Sequence, residues 1–238
     1  MKFLNDLTFY EQFSKINDIK YYPYVGLNFK KEQKRILIFA HNIYCSSSKF
    51  EAELERTKSP THFSDALDEY VYVQAKWTTA FRNFIKGSLA IKENYSIDSN
   101  KETKGKINDF INRISFTNYI NDLVKSETAN NVTIDPKLLK ISSEINTKLL
   151  LILDVTHIIC WGKNVFNYIM ALDDVKILER HNLKEIDGLV FRNGFEYSKI
   201  QFKGKEIHIL KTFHPSMPSF GHKNDNTHNI FNWFYNLN

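Results

Sequence analysis

Four short apolar runs punctuate the chain: Arg35 to Ala40, Arg113 to Thr117, Thr156 to Trp161 and Glu206 to Phe213. Each stops abruptly at polar or turn-forming residues. Runs this short, bounded in this way, predict buried strands. Helical patterns lie between them. One is a long mixed stretch from Asp65 to Leu89, a second is opened by Asp135-Pro136 and runs to about Leu151, and a third spans Lys163 to Leu172. The Asp-Pro pair supplies an N-cap and a first-turn proline, whose missing N–H costs nothing at that position. Asn193-Gly194 and Lys203-Gly204-Lys205 are turn signals between β-prone residues, so a hairpin and some antiparallel pairing are expected within Leu189 to Leu210. The polar stretches Lys92 to Lys106 and Ser126 to Thr133 predict surface loops.

Strands alternating with helices predict an α/β fold with a layered, predominantly parallel sheet. In open sheets of this kind, ligands sit beyond the carboxyl ends of the strands. That rim is formed here by His41 to Ser48, Asn118 to Tyr119, Gly162 to Lys163 and His214 to Ser219. With no internal repeat and no long low-complexity tract, residues 1–238 are expected to form one domain.

Composition narrows the picture modestly. At 238 residues, 42% hydrophobic and 25% charged, the chain is long enough to bury one core. A formal charge of +5 permits a polyanionic partner without requiring one. Cys45 and Cys160 are too few for a four-cysteine cluster, a cysteine zinc site or a disulfide framework, which fits a reducing cytoplasm. The first twenty residues carry Asp6, Glu11 and Asp18 with no apolar core, so neither a signal peptide nor a membrane anchor is expected. No Gly-x-Gly-x-x-Gly or Walker sequence follows a strand, and no cofactor or metal is expected. A soluble, monomeric protein is anticipated.

The richest chemistry lies in Thr212-Phe213-His214-Pro215-Ser216-Met217-Pro218-Ser219, where a histidine leaves a strand for a stiff turn. Such a turn is a good mount for a catalytic donor. Asn42, just past the first strand, suits orienting a water or capping a turn. Asn118 suits either the reading of a hydrogen-bonding edge or the satisfaction of backbone groups. A hydrolase could use Ser46, Ser47 or Ser48 with His214 and Asp225 or Asp154, although no Gly-x-Ser-x-Gly elbow is present. Cys45 offers a thiol.

Taken in order, the rim segments resemble the uracil-DNA glycosylase superfamily. Ile36 to Cys45 looks like its first motif, a strand followed by a water-positioning loop that reads Gly-Gln-Asp-Pro-Tyr-His or Gly-x-Asn-Pro-Gly in different branches. Phe116-Thr117-Asn118 is similar to the strand end whose asparagine reads the flipped base. Ile158 to Lys163 resembles the Leu-Trp-Gly strand and helix start, and His214 to Ser219 resembles His-Pro-Ser-Pro-Leu-Ser. Ala40 stands in place of the family's glycine and Ile43 in place of its proline.

The resemblance implies a three-layer α/β/α sandwich around a central, mainly parallel four-stranded sheet, and a monofunctional enzyme that flips a base out of DNA. The implied substrate is uracil or a modified pyrimidine in duplex or single-stranded DNA, cleaved with a positioned water. Asn42 and His214 are then catalytic, holding water and stabilising the leaving base. Asn118 reads the base, Tyr44 limits pocket size, and Phe63 or Phe50 stacks on the base. Lys163, Ser216, Met217, Pro218 and Ser219 hold or wedge the DNA. A DNA-binding module on the same fold that has lost catalysis is the alternative.

Overall fold

The computed structural model describes residues 5–45, 47–57, 59, 61–75, 78–91, 94–96, 98–125, 133–186, 189–190, 194–217, 220 and 226–238. The chain enters through α1 (Tyr10–Phe13), β1 (Tyr24–Val25) and β2 (Ile36–Ala40). Next come β3 (Ile43–Cys45), α2 (Phe50–Thr57), α3 (His62–Tyr72), α4 (Thr79–Leu89) and α5 (Lys101–Asn112), which lead to β4 (Ile114–Asn118) and β5 (Leu123–Lys125). After α6 (Pro136–Ile152) follow β6 (His157–Trp161), α7 (Lys163–Met170), β7 (Val175–Asn182), β8 (Glu185–Ile186), β9 (Leu189–Val190), β10 (Glu196–Phe202), β11 (Lys205–Thr212) and α8 (Asn226–Asn236).

The fold is α/β, built on a mixed seven-stranded sheet in the order β1-β4-β2-β6-β11-β10-β7. The four predicted strands are all present as β2, β4, β6 and β11. They lie side by side and mutually parallel. The expected sheet of four strands is corrected to seven, because β1 pairs antiparallel with β4 while β10 and β7 continue antiparallel from β11. β1 is too short to show a period. β7, Val-Lys-Ile-Leu-Glu-Arg-His-Asn, is exposed at all but its first residue and so has no apolar run to reveal it. The predicted hairpin is β10–β11, closed by Lys203 and Gly204, both at positive φ, as a two-residue turn with the sheet's own twist requires.

Alternation along the parallel strands feeds two cores. Ile38, Ala40, Ile114, Phe116, Ile159, Trp161 and Leu210 face residues of α3, α4, α5 and α8. Leu37, Phe39, Ile158, Cys160 and Ile209 face residues of α1, α6 and α7. Burial on both faces explains why these strands read as unbroken apolar runs.

Two helical expectations change. The stretch Asp65 to Leu89 is two helices, α3 and α4, interrupted where the Thr78 hydroxyl lies 2.6 Å from the Val73 carbonyl oxygen and 2.9 Å from that of Ala75. Lys101 to Lys106, expected in a loop, opens α5 instead. The Asn100 side chain caps it by accepting the Thr103 N–H at 2.8 Å, and Thr103, Ile107 and Ile111 form a buried stripe at four-residue spacing. The Asp135 cap of α6 is present, its side chain accepting the Lys137 N–H at 2.7 Å. Residues 126–132 of the second expected loop lie outside the described residues. Among the described residues, no helix is long and apolar enough to cross a membrane.

Candidate active site at the carboxyl edge

The carboxyl ends of β4, β2, β6 and β11 are held in register beyond the strands themselves. Tyr119 N–H donates to the Ala40 carbonyl at 2.8 Å and Ile120 N–H to the His41 carbonyl at 3.0 Å. The two chains then pair again, parallel, as β3 and β5. Asn42 therefore sits between two ladders. Its Nδ2 and the neighbouring His41 Nε2 are both buried without a hydrogen-bonding partner. The His41 ring lies on Tyr168 of α7, centroids 5.9 Å apart and planes within 25°.

Asn118 ends β4, opposite Ala40, and is buried. It shares the sheet face of Ile114 and Phe116 by strand alternation. Beside it stands Tyr21, whose hydroxyl donates to the Ile120 carbonyl at 2.6 Å. Burial raises the Tyr21 hydroxyl well above its ordinary range, nearby Asp122 adds to the rise, and the Asn118 side chain opposes both. Phe63 of α3 meets Tyr21 edge-on at 5.0 Å and Phe116 at 5.4 Å. It is a fully enclosed wall of this corner.

Trp161 ends β6 on the same face. Its ring contacts Phe81, Phe84 and Phe116, and meets His214 edge-on at 6.2 Å. Its Nε1 is buried and unpartnered. Gly162 then turns the chain into α7 at φ 94°, a conformation L-residues rarely adopt, while its N–H donates to the Thr212 carbonyl at 3.1 Å. Lys163 follows, exposed at the start of the helix.

His214 emerges from β11 into a tight turn. Ser216 N–H reaches its Nδ1 at 3.3 Å and Ser216 Oγ lies 2.8 Å from the same nitrogen. A backbone N–H only donates, so Nδ1 carries the lone pair and the proton of the neutral ring is on Nε2. Burial lowers the His214 pKa and the nearby His41 lowers it further, which keeps the ring neutral at pH 7. Met217 N–H closes the turn onto the His214 carbonyl at 2.9 Å. Asn83 of α4 ties it down through a 2.8 Å bond from Nδ2 to the Pro215 carbonyl.

The structure thus brings Asn42, Asn118 and His214 to one rim with Phe63 as a side wall. Ser216 and Met217 lie exposed on the same turn as His214. Phe50 opens α2, with the Lys125 ammonium 5.6 Å above its ring. Tyr44 lies in β3 opposite Val124, but its side chain, like Pro218 and Ser219, falls outside the described residues. The hydrolase alternative finds no support from Asp154, which binds Arg35 at 2.7 Å near the opposite, amino edge of the sheet. Ser46 and Asp225 lie outside the described residues.

Tyr21, Asn83 and Tyr168 were not expected at the rim, and His41 was expected there only as the first residue of a rim segment. Only His41 had a local signal, as a polar residue directly after an apolar strand. The others reach the rim through tertiary packing. Among the described residues, no cluster of three or more His, Cys, Asp or Glu could hold a metal. Comparison with known proteins finds no matching family model and no matching curated protein.

Chemically, the rim offers one Nε2–H donor on a neutral imidazole, a carboxamide at a strand end, and unpartnered polar atoms on His41, Asn42 and Trp161. Leaving a buried polar atom unpaired costs about 1–3 kcal/mol. Of the seven such side-chain atoms among the described residues, three fall at this rim.

Proposed function

We propose that this protein is a monofunctional DNA glycosylase that hydrolyses the N-glycosidic bond of a flipped uracil or modified pyrimidine and leaves an abasic site. The observation that carries the reading is His214: a neutral, Nε2-protonated imidazole on a turn anchored by its own Ser216 and by Asn83, at the rim that also holds Asn118 and Asn42. The α/β class, with its parallel strands in the order β4-β2-β6-β11 between helices on both faces, is compatible with the three-layer sandwich that the glycosylase resemblance implies.

In this reading, breaking the C1′–N bond leaves its electron pair on the base. His214 Nε2–H donates to the base oxygen where that charge gathers. Asn118, with one donor and one acceptor, matches the pyrimidine edge, and Asn42 orients water towards C1′. Water supplies the new C1′–O bond, and its proton ends on the departed base or in solvent. Exposed Lys163, Ser216 and Met217 face the DNA, the first two at phosphates and Met217, 49% exposed, as the apolar wedge.

The test incubates the protein with oligonucleotides bearing uracil, mismatched thymine or modified cytosines and cleaves abasic sites with alkali. His214→Ala should cut excision by about 10²-fold or more while DNA binding is largely kept. Near-normal excision by this variant defeats the assignment. DNA binding without strand breaks on any substrate points to the binding module without catalysis.

A further inference from the structure

Asn42 leaves a chemical gap in that mechanism. A carboxamide can hold a water but cannot take its proton, and general-base help in such a step is worth roughly 10²–10⁴-fold. The residue beside it carries a basic nitrogen. The Asn42 side chain favours the protonated His41 ring, against the larger opposing effect of burial. His41 Nε2 is buried and has no hydrogen-bonding partner. With the proton of the neutral ring on Nδ1, Nε2 presents a buried lone pair. The adjacent Asn42 Nδ2 presents a buried donor, equally unpartnered. A lone pair and an N–H on consecutive residues can share one water, which accepts from Nδ2 while donating to Nε2. The stack on Tyr168 fixes the ring plane, so the lone pair is aimed by packing.

We propose that His41 is the general base of this site, its Nε2 taking a proton from the water that Asn42 Nδ2 holds. The proposal rests on the glycosylase reading above. Water oxygen bonds to C1′ as the C1′–N pair leaves with the base. One water proton passes to His41 Nε2, and His214 Nε2–H steadies the base anion. The His41 proton is then released to solvent or to the departed base, so the sum is water plus nucleotide giving abasic site plus neutral base. Burial also lowers the His41 pKa, which leaves the ring free to accept a proton at neutral pH.

Single-turnover excision is measured for wild type, His41→Phe and His41→Ala on duplexes bearing uracil, 5-hydroxymethyluracil or mismatched thymine, with and without added imidazoles of graded basicity. His41→Phe keeps a ring on Tyr168 and removes only the nitrogens. Both variants should lose about 10²-fold in rate with DNA affinity and melting temperature near wild type. Free imidazoles should restore His41→Ala in proportion to their basicity, a rescue that a merely structural residue would not show. An active wild type with both variants within threefold of it, or with a loss in His41→Ala that no imidazole restores, overturns the proposal and leaves the glycosylase reading standing. A wild type inert on every substrate overturns both.

Discussion

Acidification should unfold this protein through the amino edge of its sheet, and His157 sets the size of the effect. His157 begins β6 with its ring stacked on His208, centroids 4.9 Å apart, and edge-on to Phe234 of α8 at 5.1 Å. Thr156 Oγ1 lies 2.9 Å from Nδ1, whereas Nε2 has no partner. Burial first, then His208 and then Lys34 push its pKa down to about 3, against a smaller opposing pull from the Leu237 backbone. His208 is lowered too, by burial and Lys199, and its Nδ1 is engaged by the Tyr197 hydroxyl at 2.9 Å. A folded pKa below the unfolded value of 6.5 means that the unfolded chain binds the proton more readily between these limits. The stabilisation is therefore complete above pH 6.5 and is lost as pH falls towards 3. At about 1.36 kcal/mol per unit, the fall from pH 6.5 to 4.5 removes about 2–3 kcal/mol, a large share of the stability of an ordinary domain. Urea unfolding at pH 7.5, 6.5, 5.5 and 4.5 measures it. His157→Phe, which keeps a ring against Phe234, should flatten the slope by that amount. Equal slopes in the two proteins would refute the reasoning.

Two further outcomes follow from single contacts, one at the amino end of β4 and one at the site. Gly26 lies where an added Cβ would stand 2.4 Å from the Asn112 carbonyl carbon and oxygen, both backbone atoms that cannot swing aside. Gly26→Ala should therefore lower stability by about 3 kcal/mol, read from the urea midpoint. Asn83→Ala deletes the bond that anchors the Pro215 carbonyl, so it should cost only about 1 kcal/mol of stability yet slow excision roughly tenfold by loosening the mount of His214. Parallel denaturation and single-turnover assays separate the two effects.

The parallel strands were legible in the sequence because both of their faces are buried, and burial writes itself as an unbroken apolar run. β7 was not, since its residues are almost all exposed and its place is dictated by the ladder to β10 rather than by its own composition. α5 was hidden for a related reason. Its buried stripe is only Thr103, Ile107 and Ile111 among charged neighbours, and the Asn100 cap was the signal that could have found it. At the site, Asn42, Asn118 and His214 could be named because each stands at or within two residues of a strand's end. Tyr21, Asn83 and Tyr168 come from elements far away in the chain, and nothing local connects Tyr21 to Asn118 or Asn83 to Pro215.

The β10–β11 hairpin also bears on the order in which the molecule comes together. Its two strands are joined by Lys203 and Gly204 alone, so it can form within microseconds with almost no loop-closure entropy. β2 and β4 must instead find each other across everything between Ala40 and Ile114, and β2 and β6 across everything between Ala40 and His157, which places these parallel pairings late and slow. The strand that delivers His214 is thus shaped early, while the ends that deliver Asn42 and Asn118 are still apart. The rim is among the last features to exist during folding, and until it closes the most apolar strands of the chain are open to association with other chains.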